Sequence, residues 1–209
     1  MKVRLLLFSV AFVCASLFAV SALTQEKKAK EETKPQAGGE MDAMMKKWME
    51  AATPGENHKR LDDMVGTWEA TTTTWMEPGK PPSTTKGKSE MKWILGGRFL
   101  QQEFAGEMMG MPFTGMGLTG YDNFNKKYVG YWVDNTSTAM ATMEGTADRS
   151  GRVITMFGKS DDPGTGERGK TMKYVARLVN KDRHLFEIYD LSMGDKETKV
   201  LEISYTRKK

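Results

Sequence analysis

The sequence predicts an all-β fold, a closed antiparallel up-and-down barrel of about ten strands with a short N-terminal helix in front of it. Three observations predict it. From Gly66 to the end, apolar and polar residues alternate with period two in one run after another, the mark of a sheet with one buried face. The runs are separated by short clusters of Gly, Asn and Asp, which supply turns. No helical periodicity intervenes between them, and no connection is long enough for a crossover. A succession of tight hairpins favours a meander, and closing it into a barrel removes the sheet edges that would otherwise template aggregation.

The chain opens with Lys2 and Arg4, an apolar run from Leu5 to Val20, and Val20-Ser21-Ala22. A positive start, an apolar stretch and a small-x-small site make a secretory signal peptide over 1–22. The run of about 16 apolar residues falls short of the roughly 20 that span a bilayer. Phe12 and Val13 ahead of Cys14 do not fit the small residue that lipidation requires. The expected address is therefore secreted or periplasmic, with no integral membrane segment after cleavage. Cleavage removes Cys14, the single cysteine, so the remainder has no thiol chemistry and relies on a core. It also removes Lys2 and Arg4, lowering the formal net charge from +4 to +2. Basic and acidic residues are interspersed with no basic stripe, which speaks against nucleic-acid binding.

Residues 23–40 are charged, carry Pro and Gly, and are almost free of large apolar groups, the composition of a disordered tether. Residues 41–55 form a helix and linker. Met41, Met44, Met45, Trp48 and Met49 repeat at helical spacing, and Thr53-Pro54-Gly55 stops the helix. An apolar stripe of this kind either docks on the barrel that follows, the expected arrangement, or engages a membrane surface or partner. The barrel domain is expected over 56–209. A helical turn at Glu56–Asp63 sets Leu61, Met64 and Val65 against the barrel floor, with His58 solvated.

Strands are expected from Gly66 to Met76 and from Lys86 to Leu95, where Met91, Trp93 and Leu95 oppose Lys88, Glu90 and Lys92. Gly96-Gly97 is then a two-residue hairpin turn, because glycine reaches φ > 0 without steric cost. Further strands follow at Arg98–Gly106, Phe113–Tyr121, Lys127–Val133, Thr138–Thr146, Arg152–Lys159, Lys170–Val179, His184–Leu191 and Glu197–Thr206. Asp161 to Gly166 reads as a loop, because its acids lack the regular spacing and closing Glu of a calcium loop.

Gly66-Thr67-Trp68 opens the first strand, and Arg207 closes the last on the parity of Leu201, Ile203 and Tyr205. If the two strands are neighbours, the guanidinium lies across the indole, a contact worth roughly 0.5–2 kcal/mol. A Gly-x-Trp first strand and a terminal Arg resemble the calycin type of barrel, lipocalins and their relatives, in which this pair plugs the closed end. The resemblance gives Gly66, Trp68 and Arg207 a structural role. Three longer stretches, Leu61 to Trp68, Trp93 to Gln102 and Thr119 to Asn123, resemble the bacterial domain of unknown function 1579 family. That resemblance spans nearly all of the chain from Asn57 onward. It implies an exported, calycin-like protein and carries over no catalytic residue.

Chemistry-bearing motifs are scarce. No Gly-x-Ser-x-Gly elbow or Ser-His-Asp set is present, and zinc's three or four ligands are not supplied. No metal or cofactor is expected. Ten-stranded barrels of the nitrobindin type ligate haem through an inward His, and His184 shares a face with Phe186 and Ile188. One His without a motif is more often a hydrogen-bonded wall residue. Met108, Met109, Met111, Met116, Met140 and Met143 can be read as thioether ligands for Cu(I), but their irregular spacing suits adaptable apolar packing better.

The lumen remains. Met91, Trp93, Gln101, Glu103, Tyr121, Trp132, His184 and Phe186 are the candidate ligand-binding residues, in a mostly apolar lining with a few polar groups. On the strand after Gly97, Gln101/Glu103 and Gln102/Phe104 compete for the inside. Gly115 and Gly117, on the parity of Phe113, either leave lumen volume open or let the wall bend. The expectation is a pocket entered opposite Trp68, with Trp93 reporting on it. It would hold a small apolar or amphiphilic ligand in a non-enzymatic exported protein. The alternatives are acid–base catalysis through Glu103, Tyr121 or His184, and a structural or interaction module acting through the helix.

Overall fold

A computed structural model describes residues 37–76, 79–193 and 197–209. The expected signal peptide and all but the end of the expected tether lie outside the described residues. Helix α1, Ala37–Ala52, starts ahead of Met41, taking in the last residues assigned to the tether. After it come a short helix, α2 (Glu56–Lys59), and a 3₁₀ turn, Asp62–Met64.

Among the described residues, ten strands form a closed antiparallel barrel: β1 Gly66–Thr74, β2 Ser83–Ile94, β3 Phe99–Met108, β4 Met111–Asp122, β5 Lys127–Asp134, β6 Ala141–Ala147, β7 Val153–Asp162, β8 Glu167–Asn180, β9 Arg183–Asp190 and β10 Thr198–Arg207. Each strand pairs with its neighbours in sequence, and β10 closes on β1 with Trp68 opposite Arg207. No helix of the described residues is long and apolar enough to cross a membrane.

Two local readings are corrected. The β2–β3 connection is a four-residue loop, because Ile94 pairs with Phe99; Leu95 (φ 49°), Gly96 (φ 67°) and Gly97 (φ 82°) are all left-handed. The two glycines are its centre, and Leu95 takes a conformation that its type rarely adopts. His58 is buried, at 5% exposure: its Nδ1 accepts the Gly55 N–H, and its ring meets Tyr121 edge-on at 6.0 Å. The lead-in folds under the barrel, with Leu61 at 1% exposure and the Tyr128 hydroxyl donating to the Asn57 carbonyl at 2.9 Å.

The floor is locked at Trp68, which is fully buried and donates its indole N–H to the Met64 carbonyl at 2.8 Å. The Arg207 guanidinium carbon lies 4.1 Å from the Trp68 ring centroid. Its nitrogens donate to the Val65, Asp63 and Lys181 carbonyls at 2.6, 2.7 and 2.7 Å. One charged group thereby satisfies three carbonyls of the chain segments that close the barrel. Gly66 is required beneath it: φ is 133°, and a Cβ there would overlap Arg207 Nη1.

The docking expected of α1 is also corrected. Its stripe stands clear of the barrel, with Met41, Met44, Met45, Trp48 and Met49 all 48–68% exposed. Only the C-terminal end is held, where Asn123 Nδ2 donates to the Ala51 and Thr53 carbonyls at 3.1 and 2.7 Å.

Candidate functional site

Strand register decides which side chains enter the lumen, and burial decides where the lumen is filled. The closed end carries the β2–β3, β4–β5, β6–β7 and β8–β9 hairpins together with α2; the other loops ring the opposite end. Near the closed end the inward residues Trp68, Met91, Leu100, Tyr128, Ile154, His184 and Tyr205 are all under 4% exposed. Further up, Phe113, Trp132, Met143, Met172, Ile188 and Ile203 face inward but remain only partly buried. The lumen is filled at the floor and less completely covered above it, in the part we call the cup.

Polar groups mark its waist and its mouth. At the waist, Gln102 Nε2 donates to Ser89 Oγ and to the Tyr205 hydroxyl, both at 3.0 Å. Burial pushes the Tyr205 phenol above its ordinary pKa, so it stays neutral. At the mouth, Lys170 Nζ pairs with Asp190 at 2.8 Å and with Glu167 at 3.1 Å. Burial pushes the Asp190 carboxyl up, but the Lys170 ammonium and the Ser192 N–H outweigh it and hold the pKa below the usual value. On the facing wall Trp132 donates its indole N–H to Asp134 at 2.9 Å. Exposed methionines surround the mouth, Met76, Met109, Met140 and Met193 in its loops and Met108 and Met111 at the ends of β3 and β4. Met143 and Met172 are inside, so the methionines divide between rim and lining.

The eight candidate residues do not form one site. Trp132 and Phe186 face the cup, Phe186 stacking on Tyr174 at 6.3 Å between ring centroids. Met91, Tyr121 and His184 belong to the floor, and Trp93 is tied there by its N–H to Asp62 Oδ1 at 2.8 Å. Gln101 and Glu103 lie on the outer wall, where Glu103 pairs with Lys92 at 3.8 Å. The competing parity, Gln102 and Phe104, is the inward one. Leu100 shares it, and two large apolar residues on one parity were the signal that could have decided the matter.

Glu103, Tyr121 and His184 are therefore not brought together for acid–base chemistry. His184 has 1% exposure and both ring nitrogens lack a hydrogen-bond partner. Trp68 meets its ring edge-on at 4.3 Å, and Tyr205 stacks on it at 4.2 Å. Burial, reinforced by the Arg207 charge, pulls its pKa down to about 3, so the imidazole is neutral. At 1% exposure in the filled floor its ring nitrogens have no open space beside them in which a porphyrin could sit, and the residues do not fit a haem. Among the described residues no group of three or more His, Cys, Asp or Glu is arranged to hold a metal.

Gly115 and Gly117 have a use that neither reading anticipated. A Cβ on Gly115 would overlap Cζ2 of Trp132, and one on Gly117 would lie 2.9 Å from its Cε3. The missing side chains make room for an indole from the adjacent strand, which forms the wall of the cup.

One solved structure supports the architecture. A crystal structure of Rv2717c from M. tuberculosis superposes with a TM-score of 0.55 at 13% identity, covering 75% of this chain and 100% of that one. A redesigned β-barrel gives a TM-score of 0.40 at 12% identity, covering 72% of this chain and 96% of that one. No curated protein matches. Residues 53–207 match the family described as Protein of unknown function (DUF1579), a span that includes α2 and every strand of the barrel. The chain belongs to that family of proteins of unknown function.

Proposed function

We propose that this is an exported, non-enzymatic binding protein whose cup receives a small, partly apolar molecule. The observation that carries the reading is the burial gradient: inward residues near Trp68 are sealed, whereas Phe113, Trp132, Met143, Met172, Ile188 and Ile203 are inward yet incompletely covered. Apolar walls with few polar groups are the usual make-up of a small-molecule site. Here the polar groups are the Gln102 amide below and the Lys170–Asp190 pair above, which suits an elongated amphiphile. Export rests on the positive, apolar and small-residue pattern of residues 1–22.

Native mass spectrometry of protein purified from its own host tests the reading directly, with a co-purifying molecule as the expected result. Titration with environment-sensitive apolar dyes and fatty acids provides the second test. Binding should change the fluorescence of Trp132, so Trp132→Phe abolishes the response and Trp93→Phe preserves it. Absence of any co-purifying species, with no fluorescence response to the probes, would remove the binding reading.

A further inference from the structure

Among the described residues two apolar surfaces lie uncovered, and they match in kind. One is the α1 stripe. The other is a groove of about 550 Å³ on the outer wall of β3 to β7, lined by Phe99, Leu118, Val129, Tyr131, Met140 and Phe157 among others. Most of these belong to the outward parity: Val129 pairs with Glu144 and Phe157 also pairs with Glu144, all facing away from the lumen, while the inward Met143 borders the groove from between the strands. An amphipathic helix with anchors at i, i+3, i+4, i+7 and i+8 is the shape such a groove accepts. We infer that α1 of one copy docks in the outer groove of a second copy, giving a dimer with two reciprocal helix–groove contacts.

Three observations select a second copy as the occupant. The helix is pinned to its own barrel by Asn123, which holds the Ala51 and Thr53 carbonyls; with that pin made, the stripe still points into solvent at 48–68% exposure. Its own groove therefore does not cover it. The polar side of α1 carries Glu40, Asp42 and Glu50 against Lys46 and Lys47, an acidic excess, whereas helices drawn to anionic membrane surfaces are rich in Lys and Arg. The area also suffices. Trp48 and the four methionines offer on the order of 500 Å² per helix. Two such contacts, with the groove sides counted, reach the roughly 1,600 Å² of a standard stable interface. A two-fold arrangement satisfies both copies and leaves neither stripe nor groove open.

The test is sedimentation equilibrium with light scattering on the chain purified from its host, as wild type and as Trp48→Asp and Phe157→Asp. Both positions are well exposed, at 68% and 46%, so neither substitution threatens folding, and an unchanged thermal midpoint verifies this. The expected result is a wild-type dimer whose dissociation constant rises roughly thirty-fold or more in each variant. Chains carrying Trp48→Cys and chains carrying Phe157→Cys should form a mixed disulfide when combined. A wild-type monomer at about 100 μM, far above a working affinity, would overturn the inference. So would a dimer indifferent to both substitutions. A monomer that co-sediments through Trp48 with phosphatidylglycerol vesicles would assign the stripe to a membrane instead.

Discussion

The closed end and the open end of this barrel are built from the same ten strands and serve opposite requirements. At the closed end Trp68, Met91, Leu100, Tyr128, Ile154, His184 and Tyr205 are sealed, with Trp93 and Tyr121 partly buried beside them, and Arg207 ties three backbone carbonyls across the Trp68 ring. At the open end, inward residues of similar apolarity are left partly uncovered, and six exposed methionines stand around the mouth on loops and strand ends. Burial near Trp68 supplies stability, because each fully covered large apolar side chain is worth about 1.5–3 kcal/mol. Incomplete burial at the mouth forgoes part of that stabilisation. The family's matched region begins at residue 53, so the floor elements from α2 onward belong to it, while all of α1 lies outside it.

If the floor is where stability resides, the largest effects must appear there. Trp68→Ala should cost about 3–5 kcal/mol. Arg207→Ala should cost about 2–3 kcal/mol, because it strands carbonyls that the guanidinium now satisfies. In a double-mutant cycle the pair should couple by at least about 0.5 kcal/mol. Met109→Ala at the rim, a residue 73% exposed, should change stability by less than about 0.5 kcal/mol. Urea unfolding of the wild type and the four variants checks this. Additive behaviour of Trp68 and Arg207, or a rim variant as damaging as a floor variant, would erase the distinction between the two ends.

The second way to sharpen the comparison is acid. His184 sits in the floor as a neutral imidazole with a pKa of about 3, against an ordinary value of 6.5. Between those values the unfolded chain binds a proton that the native floor refuses, so stability falls as pH drops below 6.5. The slope approaches about 1.4 kcal/mol per pH unit. His58, also held below its ordinary value by burial and then by Arg98, acts in the same direction. Stability should therefore be full above pH 6.5 and lower by roughly 2 kcal/mol near pH 5, through a floor residue and not through the mouth carboxylates. His184→Leu, which keeps an apolar side chain between Trp68 and Tyr205, should flatten the profile in this range. An unchanged profile in that variant would place the acid sensitivity elsewhere.

Much of this architecture was legible in the sequence because barrels write themselves in period two. The alternation of Met91 and Trp93 against Lys88, Glu90 and Lys92 set the face of β2, and Trp68 and Arg207 sat at matching ends of strands that do pair. What failed to show was whatever depends on a neighbour remote in sequence. Gln102 is polar yet inward because Ser89 and Tyr205 receive it, and neither is close to it along the chain. His58 is buried because α2 folds under Tyr121, while a polar lead-in by itself suggests solvent. Inward parity was also mistaken for access to ligand: Met91 and Trp93 point inward, but at a level where the lumen is already filled. The helix stripe announced that its apolar face needs a cover without naming one.

The smallest expected effect is the most discriminating about the cup. Adding a methyl at Gly115 meets the far edge of the Trp132 indole, a side chain that can rotate. Adding one at Gly145 meets the Thr155 carbonyl oxygen, which belongs to the adjacent strand's backbone and cannot give way. Gly115→Ala should therefore change stability by no more than about 1 kcal/mol, since the strand also gains roughly 0.5–1 kcal/mol when glycine becomes alanine. The displaced indole would move off the wall and into the cup, taking up volume a ligand would use. The measurable consequence is a several-fold weaker affinity for an apolar dye at nearly unchanged urea stability, with the emission of Trp132 shifted before any dye is added. Were Gly115→Ala to bind dye as well as the wild type while its Trp132 emission moved, the indole would not border the binding volume. Were it instead to unfold as readily as Gly145→Ala, the indole would be fixed in place, and the mouth would be as rigid as the floor.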